Sequence, residues 1–174
     1  VSLAAGTAAW QNANGIALGL WLLNRLLDGL DGTTARVNNK QSDFGGYLDI
    51  VLDMVAYVTI PIGLALAMNK TNVYIALIFL FASFYINSAA WMMLAAYLEK
   101  FKQGARINGE LTSVTMPTSI IEGAEAVIFY SIFLLLPQHL ETWFYLLTFL
   151  VLLSAGKQVL WAFKYMDGGK RAGS

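Results

Sequence analysis

Cysteine is absent, and the 174 residues contain one histidine, His139. Without thiols there is neither a disulfide framework nor a zinc–cysteine site, and one imidazole cannot build a multi-histidine metal centre. Charge is scarce as well. Asp, Glu, Lys and Arg make up 13% of the chain, where a soluble domain carries about a quarter. The 11 basic residues balance the 11 acidic ones, and no run of basic residues is long enough to serve as a nucleic-acid-binding arm. Apolar residues fill the space: 57% of the chain is hydrophobic and the mean hydropathy is +0.58. Disordered chains are polar and charged, so disorder is excluded. What remains is an integral membrane protein, read as a single domain over residues 1–174.

A spanning helix needs about 20 predominantly apolar residues. Asp49–Met68, Val73–Leu98, Pro117–Leu136 and Thr142–Met166 meet that requirement. Asn14–Leu30 is apolar too but carries Arg25 and Asp28 at its end, and it is long enough to span if it starts near Trp10. The expectation is an all-α polytopic bundle with five spans here. Val1–Ala9 is small and apolar and reads as the tail of an earlier helix, which makes six spans in an intact protein. The chain starts with Val1 and has no charged segment ahead of its apolar residues, so it reads as a piece whose N-terminus is missing rather than one opening on a signal peptide. Asn69-Lys70-Thr71-Asn72 and Pro137-Gln138-His139 are the expected short connections, and Trp10, Trp91, Trp143 and Trp161 fall near span ends, where indole rings favour the interface.

Five spans place Arg25, Arg36, Lys40, Lys100, Lys102, Arg106, Lys157, Lys164, Lys170 and Arg171 on one side and Lys70 alone on the other. The positive-inside rule makes the crowded side cytoplasmic.

The informative segment runs from Asp28. Asp28 and Asp31 are three apart and share a helical face; Asp49 and Asp53 are four apart and share another, with Gly45 one turn earlier. A short polar connection, Val37 to Phe44, makes the two helices antiparallel neighbours. Four carboxylates would then converge near the cytoplasmic surface, where they repel each other unless something positive holds them. Oxygen ligands without imidazole or thiolate suit Mg²⁺, Mn²⁺ or Ca²⁺, and four of them allow a two-metal cluster. Gly32, Ala35, Gly45 and Gly46 keep the neighbourhood free of bulk, which suits a flat ligand, and Arg36 beside a metal suits a phosphate-bearing nucleotide. The plain alternative is a set of salt bridges from these carboxylates to Arg25, Arg36 and Lys40.

Asp28 to Asp53 reads D-x2-D-G-x2-A-R-x8-G-x3-D-x3-D. This resembles the signature of the CDP-alcohol phosphatidyltransferase family at every specified position and gap. The resemblance implies a six-helix membrane fold, a homodimer, and transfer of a substituted phosphate from a CDP-linked donor to an alcohol with release of CMP. It implies that Asp28, Asp31 and Asp49 are metal ligands for Mg²⁺ or Mn²⁺. Asp53 is implied to be the base that takes the acceptor's proton, also in reach of a metal, and Gly32, Ala35, Arg36 and Gly45 are implied to contact CDP. The donor would be CDP-diacylglycerol or a related CDP-lipid and the acceptor a polar alcohol, in phospholipid biosynthesis at a bacterial inner membrane. Family members carry a helix ahead of the motif helix, and here Val1–Ala9 alone stands in that place.

Outside the signature, Lys102 and Arg106 are candidates to grip an acceptor phosphate, with positive-inside charge as the plain alternative. Glu122 and Glu125 lie at a depth similar to that of Lys157 and read first as a structural ion pair; the functional alternative is that Glu122 or Glu125 helps bind a polar acceptor. His139 reads as a solvated loop residue. Three rival functions remain open. One is a cation transporter built on intramembrane carboxylates, another a different metal-dependent lipid transferase, and the third a non-catalytic membrane scaffold.

Overall fold

The computed structural model describes residues 1–37, 42–100, 120–121 and 123–171, with side chains except at 31–37, 43, 100 and 166–171. It consists of α-helices α1 (Ser2–Trp10), α2 (Asn14–Val37), α3 (Asp43–Met68), α4 (Thr71–Lys100), α5 (Gly123–Leu135) and α6 (Leu140–Arg171), with a single 3₁₀ turn at Pro137–His139 before α6. The expected all-α membrane bundle is what the chain forms. Among the described residues three helices are long and apolar enough to cross a membrane: Phe44–Met68, Thr71–Glu99 and Pro137–Tyr165. The fourth expected span is described over Gly123–Leu135, and residues 117–119 and Glu122 lie outside the described residues. The remaining one, α2, is about 36 Å long at 1.5 Å per residue, enough to span. Arg25 and Asp28, with Asp31 and Arg36 further along, keep it out of the purely apolar set.

Helix boundaries follow local chemistry. Ser42 caps α3, its Oγ accepting the Gly45 N–H at 3.0 Å, which satisfies one of the donors a helix start leaves free. Asn69 closes α3 in the left-handed conformation (φ 47°), its N–H donating to Ala65 O at 2.9 Å. Asn12 (φ 59°) closes α1 in the same way, with Asn12 N–H on Ala9 O and Ala13 N–H on Ala8 O. That pair of bonds is the Schellman arrangement, and Asn is the residue besides glycine that tolerates it best.

The contacts group the chain into two compact units. The first comprises residues 1–78 and 123–144. In it α1 packs on α2 and α3, and α5 packs on the same two helices. The α1–α3 contact is made backbone to backbone. A Cβ placed on Gly63 would collide with the carbonyl oxygen of Gly6, and one on Gly6 would meet Thr59 O at 2.6 Å. Ala5, Ala9, Ala56 and Ile60 are buried in this unit, and Thr59 Oγ1 donates to Ser2 O at 3.2 Å. Close approach of small residues is how helices associate where lipid removes the hydrophobic drive between them. The helix Ser2–Trp10 is docked on α3 by this glycine contact.

The second unit, residues 79–122 and 145–174, is held partly by neutral polar groups. Ser154 Oγ accepts from both Ile120 N–H (3.0 Å) and Ile121 N–H (3.1 Å) just ahead of α5, and Gln158 Nε2 donates to Asn87 Oδ1 at 3.3 Å. Phe79 and Tyr145 add an aromatic contact at 6.2 Å.

Candidate active site

The site is built on α2 and α3 in the first unit. On α2, Trp21, Arg25 and Asp28 stand at i, i+4 and i+7, so they share one face. On α3, Gly45, Asp49, Asp53 and Tyr57 repeat every four residues. These two faces meet at Arg25. Its Nη1 lies 2.8 Å from Asp53 Oδ1 and 3.6 Å from Asp28 Oδ2. Asp28 and Asp53 are half-buried and Asp49, a turn earlier on α3, is exposed.

Aromatic rings fix the guanidinium from its other sides. Its carbon lies 5.0 Å from the Trp21 ring centroid and 5.5 Å from that of Tyr57, within the range of cation–π attraction. Trp21 is fully buried and stacks on Tyr130 of α5 (4.9 Å, 24°), and Tyr57 meets Tyr130 edge-on (5.5 Å, 70°). The Tyr130 hydroxyl donates to Tyr57 O at 2.5 Å. Pro61 explains why that carbonyl is free. Four residues on from Tyr57, it has no N–H to complete the helical bond, and Tyr130 supplies the donor from another helix. A proline in α3 thus creates the acceptor that ties α5 to the site.

The carboxylates expected to converge do so in part. Asp28 and Asp53 come together through Arg25, the salt-bridge pattern offered above as the plain alternative. Since α2 is helical through Val37, Asp31 falls one turn beyond Asp28 and Ala35 one turn beyond Asp31. The side chains of Asp31, Ala35 and Arg36 lie outside the described residues, as do Lys40, Lys102, Arg106 and Glu122; Gly32 is placed as helical backbone in α2. Among the described residues no three acidic or imidazole side chains gather as a metal cluster. Gly45 is in the first turn of α3, and beside it Gly46 has open space where a side chain would stand. Glu125 belongs to the first unit and Lys157 to the second, so each is placed within its own.

Sequence reasoning passed over Arg25 as more than a countercharge, and passed over Trp21, Tyr57 and Tyr130 altogether. The four-residue step from Trp21 to Arg25 and from Asp53 to Tyr57 is the signal for three of them. Tyr130 has no local signal, since only the pairing of α5 with α3 brings it in. Among the described residues Trp21 Nε1 and Arg25 Nε are buried without an acceptor, an arrangement that costs about 1–3 kcal/mol per group.

A family model described as CDP-alcohol phosphatidyltransferase matches residues 2–154. Among curated proteins, the Inner membrane protein YnjF of Escherichia coli (strain K12) is 52% identical over 56 residues, which is 32% of this chain and 27% of that relative. The match thus spans little more than a quarter of the relative's length. No solved structure matches the chain.

Proposed function

The chain belongs to the CDP-alcohol phosphatidyltransferase family, and from that membership and the α2–α3 geometry we propose that it moves a phosphatidyl group from a CDP-linked lipid, CDP-diacylglycerol or a close relative, to a polar alcohol and releases CMP. That it is a membrane transferase follows from the family and its apolar helices. The single observation that supports the finer reading is the meeting of Asp28 and Asp53, the first and last residues of the signature, around one cation.

In this reading Asp53 takes the proton of the acceptor hydroxyl. The alcohol oxygen then bonds to the phosphorus bearing the lipid as the bond from that phosphorus to CMP breaks. A positioned carboxylate contributes about 10²–10⁴-fold to such a step. Asp28, Asp31 and Asp49 would hold Mg²⁺ or Mn²⁺, with Asp53 also within reach of a metal. The donor set is all oxygen, as hard cations require. That Asp28 and Asp53 both lie against the Arg25 guanidinium supports their drawing together around positive charge. When bound, the metal neutralises pyrophosphate charge and favours departure of CMP. Gly32, Ala35, Arg36 and Gly45 receive the nucleotide, Arg36 as a phosphate partner and the small residues as room for it. Lys102, Arg106 and Glu122 are the acceptor-side candidates. The setting is a bacterial inner membrane with the site on its cytoplasmic side and two copies forming a dimer. The charge bias of the loops supports the orientation, and the name of the Escherichia coli relative supports the membrane.

The test is CMP release from CDP-diacylglycerol and Mg²⁺ across a panel of alcohols. Release that needs metal, one acceptor and Asp53 is the expected result. Metal flux into proteoliposomes without CMP would replace this reading with a transporter.

A further inference from the structure

Arg25 stands three residues ahead of the signature and belongs to no part of it, yet it touches two of the signature's carboxylates, the half-buried Asp28 and Asp53. Its guanidinium is not a loose countercharge. Trp21 and Tyr57 cover it at 5.0 and 5.5 Å, and Trp21 is clamped in turn by Tyr130, whose hydroxyl is bound to Tyr57 O. Three helices therefore determine where this positive charge sits.

Stability is a poor reason for such a pair. Desolvation cancels most of the attraction between buried charges, and apolar residues of similar size often stabilise as well or better. Arg25 also leaves its Nε buried without an acceptor among the described residues. The geometry has two direct consequences for Asp53 instead. One carboxylate oxygen is held at 2.8 Å by a fixed donor, which sets the rotamer of the other. In addition, a unit positive charge lies inside the cluster, where it opposes the entry of any further cation.

We propose that Arg25 is the resident counter-ion of Asp53: a positioning residue that orients this carboxylate on α3 and keeps the metal affinity of the acidic cluster below what the carboxylates alone would reach. The proposal rests on the reading of that cluster as a divalent-cation site.

The experiment measures Mn²⁺ binding, by the paramagnetic resonance of free Mn²⁺, to the whole chain in detergent without nucleotide. It compares the unaltered protein with R25M, R25Q, R25K and D53N and follows CMP release on the same samples. R25M and R25Q are expected to bind Mn²⁺ about tenfold more tightly. At saturating Mn²⁺ they turn over about tenfold or more slowly, because the carboxylate is no longer aimed. R25K keeps the charge without the planar fork, so its Mn²⁺ affinity stays near that of the unaltered protein while part of the turnover returns. A merely structural role for Arg25 predicts the opposite sign, since damage to the site loosens metal.

The proposal is overturned if R25M and R25Q bind Mn²⁺ no more tightly than the unaltered protein while D53N has lost binding. If R25M does not give folded protein, R25Q decides alone. Equal Mn²⁺ binding by D53N and the unaltered protein is a different failure. It removes the divalent-cation reading of the cluster, and the proposal with it.

Discussion

Each of the two compact units contains a polar patch among apolar helices, and the patches are built from different chemistry. In the first unit the groups are charged: Arg25, Asp28 and Asp53, packed against Trp21 and Tyr57. In the second, among the described residues, Ser154 receives two backbone N–H groups and Gln158 donates to Asn87, all of them neutral groups. Neutral side-chain bonds between membrane helices average about 0.6 kcal/mol and act as glue. Charged groups at membrane depth cost several times that and are kept where chemistry needs them. On the function proposed above, the contrast separates a patch that reacts from a patch that holds helices together.

Substitutions test that separation. Asp53→Asn keeps the shape of the side chain and removes the proposed base, so CMP release is expected to fall about 10²–10⁴-fold while the protein stays folded by size exclusion. Undiminished turnover would erase the distinction between the two patches. Gly63→Ala places a Cβ against the Gly6 carbonyl. The forced shift of α1 from α3 is expected to cost about 1–3 kcal/mol, read as a lower melting temperature in detergent. Tyr130→Phe removes the bond to Tyr57 O and is expected to cost about 1 kcal/mol. Combined with Pro61→Ala, which gives α3 its own donor for that carbonyl, the Tyr130→Phe penalty should shrink. A double-mutant cycle on melting temperatures measures the difference. Gln158→Leu is the smallest effect, about 0.6 kcal/mol of stability. CMP release should stay within twofold of the unaltered protein, and a larger loss of turnover would move the second patch into the active machinery.

Much of the site was legible along the chain because helical spacing is local. The steps Asp28–Asp31 and Asp49–Asp53 need only a period of 3.6 residues to be read as shared faces. The signature that contains them led to the family that the match over residues 2–154 bears out. Asn69 and Asn12 closing their helices, and Ser42 opening one, are likewise consequences of side chains acting on their own backbone. The identity of the cation between the carboxylates was not legible in this way. Arg25, Arg36 and Lys40 stood as equal candidates by sequence distance, and only the tertiary fold, in which α1 and α5 each pack on both α2 and α3, brings Arg25 to 2.8 Å from Asp53.

The sequence by itself determined the solvent and the chemistry. With 13% charged residues and 57% hydrophobic ones the chain belongs in a membrane, because composition acts through transfer free energy, and the gaps from Asp28 to Asp53 resemble the signature of the family whose model matches residues 2–154. Tertiary structure decided how that chemistry is held. Gly6 and Gly63 let α1 dock on α3, and Pro61 leaves the Tyr57 carbonyl open to Tyr130. Trp21 and Tyr57 cover the guanidinium that pairs with Asp53. Each of these includes a contact between residues far apart in the chain, Gly6 with Gly63, Tyr57 with Tyr130 and Arg25 with Tyr57, whose energy exists only at a helix separation that no local period encodes.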